Sequence, residues 1–132
     1  MPKALVEVRR QYTDDAAAAI LDAVHEALVV AFRIPQEDRG ARLIEHPPTR
    51  FTTPDGLAEP DRYTLVTIDC FAGRSIDAKR HLFAELSNRL HEAVGIPRDH
   101  VTVILHEISQ ENWGTRAGLP ASDIDLGFDI NV

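Results

Sequence analysis

The sequence contains two similar halves that lie 62 residues apart. When the chain is shifted by this distance, Thr13 meets Ser75, and the Ile-Pro pair at 34–35 meets the one at 96–97. Eight residues match without a gap: Asp15, Ala16, Leu28, Ala31, Ile34, Pro35, Leu43 and Glu45 against Asp77, Ala78, Leu90, Ala93, Ile96, Pro97, Leu105 and Glu107. Two unrelated strand-helix-strand units would share part of this pattern, but the common Ile-Pro register favours a duplicated unit.

Each half has the pattern of a strand, a helix and a second strand. In the first half, residues 4–8 are β-prone, and Thr13 is a predicted helix N-cap followed by two acidic residues. Apolar residues then recur at helical spacing until the Ile-Pro pair ends the helix, and residues 41–45 form the next predicted strand. In the second half, 65–71 and 101–107 are the predicted strands, and Ser75 and Gly95 bound the helix.

This order predicts an α/β fold, in which tandem β-α-β repeats form a four-stranded sheet with two helices on one face. Residues 1–132 are expected to form one domain, with repeat halves at about 2–46 and 64–109 joined by an irregular loop, 47–63, that contains four prolines and Gly56. The tail from Asn112 is expected to be irregular, with an edge strand over 127–132. The apolar run at 101–107 suits a strand buried on both faces or in an oligomer, and oligomerisation would cover the bare sheet face.

Composition excludes several classes of partner. The chain has 14 basic and 21 acidic residues and a formal charge of −7, which argues against nucleic acid and anionic membranes, since both need a basic surface. No apolar stretch approaches the ~20 residues of a membrane span, and no signal peptide is recognisable. We therefore predict a cytoplasmic protein.

The histidines and the cysteine do not suggest a metal site. The six histidines lack the ligand spacing of a tetrahedral site, and His25-Glu26 and His106-Glu107 complete no zinc-protease motif. Cys70 lies in an apolar strand and is predicted to be a core residue, with a reactive thiol as the alternative. No metal is predicted.

One edge of the predicted sheet gathers three unlike polar groups. Pro2 begins the first strand and Asp38 precedes the second, so they share an edge. If the halves run antiparallel about a pseudo-twofold axis, Arg74 at the far end of the third strand reaches the same edge.

The opposite edge lacks all three groups. The offset of 62 places Thr64 where Pro2 stands, His100 for Asp38 and Tyr12 for Arg74. Only one edge is therefore predicted to be equipped for catalysis.

The chemistry of the first edge depends on Met1. Its removal would leave Pro2 with a free secondary amine, and an α-amine of pKa ~8 shifts lower when it is desolvated beside a cation such as Arg74. Such an amine is a base near neutral pH. A retained Met1 would leave an amide nitrogen, which cannot act in this way.

Four motifs together carry a family resemblance. They are Met1-Pro2 before a strand, IPQEDR at 34–39, GRS at 73–75 and ENWG at 111–114. The chain resembles the tautomerase superfamily, especially its malonate semialdehyde decarboxylase-like branch. This resemblance implies a homotrimer around a central barrel of sheets, no cofactor, and catalysis by an amino-terminal proline.

The resemblance also implies a role for each site residue. Pro2 matches the catalytic proline, Asp38 the carboxylate that positions or activates water, and Arg74 the arginine that binds the substrate carboxylate. Trp113 matches an aromatic wall of the pocket, although it could equally be a packing anchor. Arg39 also matches the branch, or simply solvates its loop. The decarboxylase is expected to carry a second arginine two residues before Arg74, and here that residue is Ala72.

These residues and the resemblance together predict a cofactor-independent keto-enol tautomerase that acts on a small 2-oxo or 3-oxo carboxylate. The alternatives at the same site are malonate semialdehyde decarboxylation, in doubt because of Ala72, and hydration or dehalogenation. A non-enzymatic alternative is an oligomeric binding protein that retains Met1.

Overall fold

The structure is a computed structural model that describes all 132 residues. Its elements follow the predicted order: β1 (Lys3–Val8), α1 (Asp14–Phe32), β2 (Ala41–Glu45), β3 (Thr64–Phe71), α2 (Ile76–Val94) and β4 (Val101–Ile108). The two helices are both 19 residues long, and their bounds are offset by the 62 residues of the sequence repeat.

The four strands form one mixed sheet in the order β2-β1-β3-β4. β1 pairs in parallel with β2, β3 pairs in parallel with β4, and the two halves meet through antiparallel β1 and β3. The register between β1 and β3 is symmetric under the 62-residue offset. Applying the offset to the pair Ala4–Ile68 gives Val66–Val6, which is also a pair of this register. The antiparallel arrangement of the halves and the predicted fold class are therefore confirmed.

The helix ends follow local sequence rules. The side-chain oxygens of Thr13 and Ser75 accept hydrogen bonds from the backbone N–H groups of Ala16 and Ala78, each at 3.1 Å, which confirms both predicted N-caps. Gly95 ends α2 in the left-handed conformation, with φ of 76°. α1 reaches the same conformation at Arg33, with φ of 55°.

The core lies between the helices and one face of the sheet. The inward positions of β1 and β3 pack against the apolar stripes of α1 and α2, with Val6, Ile68, Phe32 and Leu86 fully buried. The other sheet face is uncovered in the single chain. Ile44 and Ile104 lie on it with 43% and 44% of their surface exposed.

The end of the chain differs in part from what the sequence predicts. The predicted edge strand at 127–132 is wrong: these residues form no strand, and the tail instead crosses the turn before α2, where the Ser75 N–H donates to the Val132 carbonyl at 2.7 Å. β4 is not buried on both faces of the single chain, since half-buried and exposed positions alternate along most of it, and covering by an oligomer stays a prediction. No helix has the combination of length and apolar composition that a membrane span requires.

Candidate active site

The start of β1 and the loop after α1 approach each other closely. The Ala4 N–H donates to the Gly40 carbonyl at 2.9 Å, and Pro2 is buried at this contact. A Cβ at Gly40 would lie 2.7 Å from the Pro2 carbonyl oxygen, so only glycine permits this approach. Gly40 thereby brings Asp38, two residues earlier, beside the beginning of the chain.

Asp38 binds the amine at the start of the chain. Its Oδ2 lies 2.8 Å from the Met1 nitrogen, and both side chains are about three-quarters shielded from solvent. Burial lowers the pKa of this amine below its ordinary 8.0, the hydrogen bond and charge of Asp38 raise it, and the charges of Arg74 and Lys3 lower it. The net pKa is lowered. The Pro2 nitrogen is one residue away and is held here in the amide bond to Met1.

Arg74 is buried at the turn between β3 and α2, with 5% of its surface exposed. Its Nη1 donates to the Phe71 carbonyl at 3.0 Å, and its guanidinium carbon lies 4.8 Å from the ring centroid of Phe32 and 6.0 Å from that of Phe128. Its Nε and Nη2 have no hydrogen-bond partner. Burial lowers the pKa of Arg74, while Cys70, Asp129 and Glu107 raise it.

The unpartnered N–H groups of Arg74 are costly for the folded chain alone. A buried donor without a partner costs ~1–3 kcal/mol, and more when it is charged. No carboxylate of the chain forms an ion pair with this guanidinium. A carboxylate brought by a ligand would satisfy both donors, because a guanidinium edge matches the two oxygens of that group.

Trp113 reaches this region through Phe71. The two rings meet edge to face with their centroids 4.9 Å apart, and the Phe71 carbonyl is the group that accepts from Arg74. The structure therefore brings Asp38, Arg74, the amine and Trp113 to one end of the sheet. Whether Trp113 serves as a pocket wall or as a packing anchor stays a prediction.

Other predicted residues have more ordinary surroundings. Arg39 forms an ion pair with Asp22 on α1, and both side chains are exposed. Cys70 is buried, as predicted for a core residue, and burial raises the pKa of its thiol, which disfavours the reactive thiolate. No cluster of three or more histidine, cysteine or acidic side chains could hold a metal ion.

The C-terminal tail contributes to the surroundings of Arg74, which the sequence pattern does not predict. Phe128 stacks near Arg74, and Asp129 acts on its charge. The tail passes so close to Gly73, whose φ is 133°, that a Cβ there would lie 3.1 Å from the Ile130 carbonyl oxygen. A glycine directly before Arg74 was the available signal, but nothing in the pattern identified the segment that lies against it.

Comparison with known proteins decides the family. The family model described as "Tautomerase enzyme" matches residues 38–116. The chain belongs to this tautomerase family. The predicted resemblance is thereby confirmed, and the protein is an enzyme of the tautomerase superfamily.

Curated relatives agree with this assignment. A 2-hydroxymuconate tautomerase of Comamonas testosteroni is 38% identical over 52 residues, which cover 39% of this chain and 81% of that protein. A probable tautomerase of Bacillus subtilis is 29% identical over 101 residues, covering 75% of this chain and 78% of that protein.

Solved structures share the fold. A malonate semialdehyde decarboxylase, studied for its decarboxylase and hydratase activities, is 29% identical with a TM-score of 0.76 over 84% of this chain and 88% of that chain. Native fused 4-OT, at 23% identity, shares the fold with a TM-score of 0.82 over 92% of this chain and 98% of that chain. Other fused 4-OT structures are described as symmetric or asymmetric trimers.

Proposed function

We propose that this tautomerase interconverts the enol and keto forms of a small 2-oxo or 3-oxo carboxylate without a cofactor. The acid-base group is the Pro2 amine, freed by removal of Met1. One observation carries the proposal: Arg74, a buried arginine with two unpartnered donors, lies at the same end of the sheet as Asp38 and the start of the chain, where Pro2 precedes β1.

Arg74 anchors the substrate. The carboxylate of the oxo acid accepts hydrogen bonds from Nε and Nη2. Both donors are unpartnered and shielded from solvent in the single chain, so neighbouring side chains must move for the carboxylate to reach them. Phe32 and Phe128 flank the guanidinium. They limit competition from water, so the ion pair is stronger than at an open surface. This anchor sets which end of the substrate points toward the amine.

The Pro2 nitrogen moves one proton. In its neutral form it takes the proton of the enol hydroxyl, and the oxygen electron pair becomes the carbonyl bond as the carbon-carbon double bond accepts a proton from the same nitrogen. The amine returns to its neutral form, so atoms and charge balance without another reactant. Positioned acid-base groups of this kind contribute ~10²–10⁴ in rate.

The surroundings of the amine suit this role. At the Met1 amine, desolvation and the charges of Arg74 and Lys3 lower the pKa, while Asp38 moderates the shift and binds the nitrogen. With Met1 removed, the Pro2 nitrogen becomes the terminal amine one residue further along, and we expect the same groups to act on it in the same directions.

Hydration is the second candidate reaction at this site. Asp38 could orient a water toward an electron-poor substrate while protonated Pro2 donates to carbon, and the similar malonate semialdehyde decarboxylase has hydratase activity. Decarboxylation is less well supported. Ala72 offers no donor, and the cleft of about 350 Å³ beside it is lined by Ile108, Ser109, Gln110, Glu111 and Ser122, without a cation.

The working form is proposed to be a homotrimer. The uncovered sheet face carries a row of Leu5, Thr67 and Ile104 and a second row with Ile44 and Leu65. A chain of this size gains by burying such a face against copies of itself. The trimeric fused 4-OT structures have the same fold.

The decisive experiment controls the first residue. The protein is made with a leader that a site-specific protease removes to leave Pro2 first, and intact mass confirms each form. Both forms are assayed with phenylpyruvate enol, 2-hydroxymuconate, malonate semialdehyde and 3-haloacrylates. We expect the uncut form to be ~10²–10⁴-fold less active and cleavage to restore turnover.

The outcomes separate the alternatives. Equal turnover before and after cleavage would exclude the amine as the acid-base group. Native material that retains Met1 and turns over none of the four substrates would favour the oligomeric binding protein instead.

A further inference from the structure

The edge of the sheet opposite the amine holds a second cleft. It has a volume of about 460 Å³ and lies between the turn after β1, the start of α1 and the end of α2. We call it the Tyr12 cleft and define it by Arg10, Tyr12, Arg62 and an apolar floor. The repeat offset makes it the counterpart of the Arg74 region, since Tyr12 corresponds to Arg74 and Val94 to Phe32.

Several polar groups of the cleft lack partners. Tyr12 Oη and Arg62 Nε are shielded from solvent and form no hydrogen bond of good geometry, although the Arg62 guanidinium lies close enough to the Tyr12 hydroxyl to act on it. Arg62 Nη1 donates to the Val94 carbonyl at 2.5 Å, which fixes the guanidinium at the mouth of the cleft. The Arg10 guanidinium carbon lies 5.9 Å from the Tyr12 ring centroid. Neither arginine forms an ion pair, whereas neighbouring Arg9 pairs with Asp61 at 3.5 Å.

The lining favours a monoanion with an apolar body. The lining carries the guanidinium groups of Arg10 and Arg62 and the carboxylate of Asp15. A second carboxylate, that of Glu45, accepts from the Tyr12 N–H at 2.9 Å, and the two guanidinium groups are the donors available to an anion. Its floor consists of apolar side chains: Ala16, Ala19, Ala93 and Val94. Burial raises the pKa of Tyr12, while Arg62 and Arg10 lower it; the net rise keeps the phenol protonated at neutral pH as a hydrogen-bond donor.

We propose that the Tyr12 cleft is a second binding site for a small organic carboxylate, held by Arg62, Arg10 and the Tyr12 hydroxyl. Tyr12 Oη and Arg62 Nε are shielded from solvent in the empty cleft, so both side chains turn toward the carboxylate when it enters, and charged hydrogen bonds then replace unpartnered donors. The Ala and Val floor accepts the apolar part of the ligand.

This site binds without catalysing. Thr64 stands where Pro2 stands at the other edge, and its hydroxyl donates to the Arg62 carbonyl at 3.0 Å. His100 is buried with both ring nitrogens engaged, since Nε2 accepts from the Glu59 N–H at 3.0 Å and Nδ1 faces Asp99 at 2.7 Å. Neither group is free to move a proton, so the site is independent of the proposed tautomerisation.

Calorimetric titration of the assembled protein with phenylacetate tests the site. In an Arg74→Met background, which disables the proposed anchor at the other edge, we expect one phenylacetate bound per chain. Adding Arg62→Met is expected to weaken this binding about tenfold or more, and adding Arg10→Met or Tyr12→Phe severalfold. Arg80→Met, at the far end of α2, is the matched control and should change nothing.

Two results would overturn the proposal: no binding in the Arg74→Met background, or binding that neither Arg10→Met nor Tyr12→Phe weakens. Arg10 is exposed, so its variant decides the outcome even if Arg62→Met fails to fold, as circular dichroism would reveal. Loss of turnover in the Arg74→Met background with binding retained separates this site from the catalytic one.

Discussion

The two edges of the sheet have the same backbone plan but different chemistry. At the amine edge, Arg74 is buried with two free donors, and Asp38 binds the terminal amine. At the Tyr12 edge, a phenol replaces the arginine, and the histidine that replaces Asp38 is fully hydrogen-bonded. The repeated frame thus places equivalent positions at both edges, and the residues at those positions differ in the charged and hydrogen-bonding groups that they offer there.

The arginines at the two edges come from sequence positions that do not correspond under the 62-residue offset. At the Tyr12 edge the cations come from Arg62, which precedes β3, and from Arg10, which the offset aligns with Ala72. The arginine missing beside Arg74 therefore has a counterpart at the opposite edge. Charge is retained at both ends of the sheet, but an amine is available at only one of them.

The largest expected difference between the edges is in turnover. Arg74→Met should lower kcat/KM for the best substrate roughly 100-fold, mainly by raising KM, because two charged hydrogen bonds to the carboxylate are lost. Steady-state kinetics measure this, with Tyr12→Phe as the matched change at the other edge. Turnover that survives Arg74→Met, or falls equally with Tyr12→Phe, would show that the anchor is misassigned.

The close approach at the amine edge should cost stability when it is disturbed. Gly40→Ala places a Cβ 2.7 Å from the Pro2 carbonyl, and we expect a loss of ~1–3 kcal/mol in the free energy of unfolding. Denaturant unfolding measures the loss. Gly114→Ala, where a Cβ meets nothing within 4 Å, is the control and should be neutral. An equal effect of both changes would argue against a packing cause.

The two N-caps should have nearly equal energetic effects. Thr13→Ala and Ser75→Ala each remove one side-chain acceptor with the same 3.1 Å geometry, so each should cost about 1 kcal/mol of unfolding free energy. The same denaturation experiment compares them. A clear inequality would mean that the tail contact at Ser75, which Thr13 lacks, depends on the cap.

The pH dependence of kcat/KM tests whether the amine is the base, because two substitutions should shift its pKa in opposite directions. As the pH falls through the amine pKa, the base becomes protonated and kcat/KM should decrease. At the Met1 amine Asp38 raises the pKa and Lys3 lowers it. If the same charges act on the freed Pro2 amine, Asp38→Asn should move the acidic limb to lower pH and Lys3→Met to higher pH. Profiles at limiting substrate give the pKa of the free enzyme, and profiles at saturating substrate give the pKa of the substrate complex. Shifts in the same direction would exclude this amine as the titrating base.

The local pattern predicted most of the frame. The approximate helix bounds and both caps followed from local residues, because periodicity and caps are short-range signals. The antiparallel arrangement of the halves was only a condition of the prediction, and the pairing of β1 with β3 established it. The tail was predicted wrongly. Residues 127–132 have the composition of an edge strand, but they pair with no strand of the sheet. They lie instead against Gly73 and accept a hydrogen bond from the Ser75 N–H. That contact joins residues distant in sequence, and no periodicity encodes it.

Local patterns and motifs in the chain were enough to predict the repeat, the fold class, the family and the candidates Pro2, Asp38 and Arg74. The folded chain was needed to show that Arg74 keeps two unpartnered donors, that Phe128 lies beside it, and that Arg10, Tyr12 and Arg62 gather at the other edge. Spacing along a chain fixes which residues share an element and an edge. Whether a buried polar atom finds a partner depends on side chains that only folding brings together.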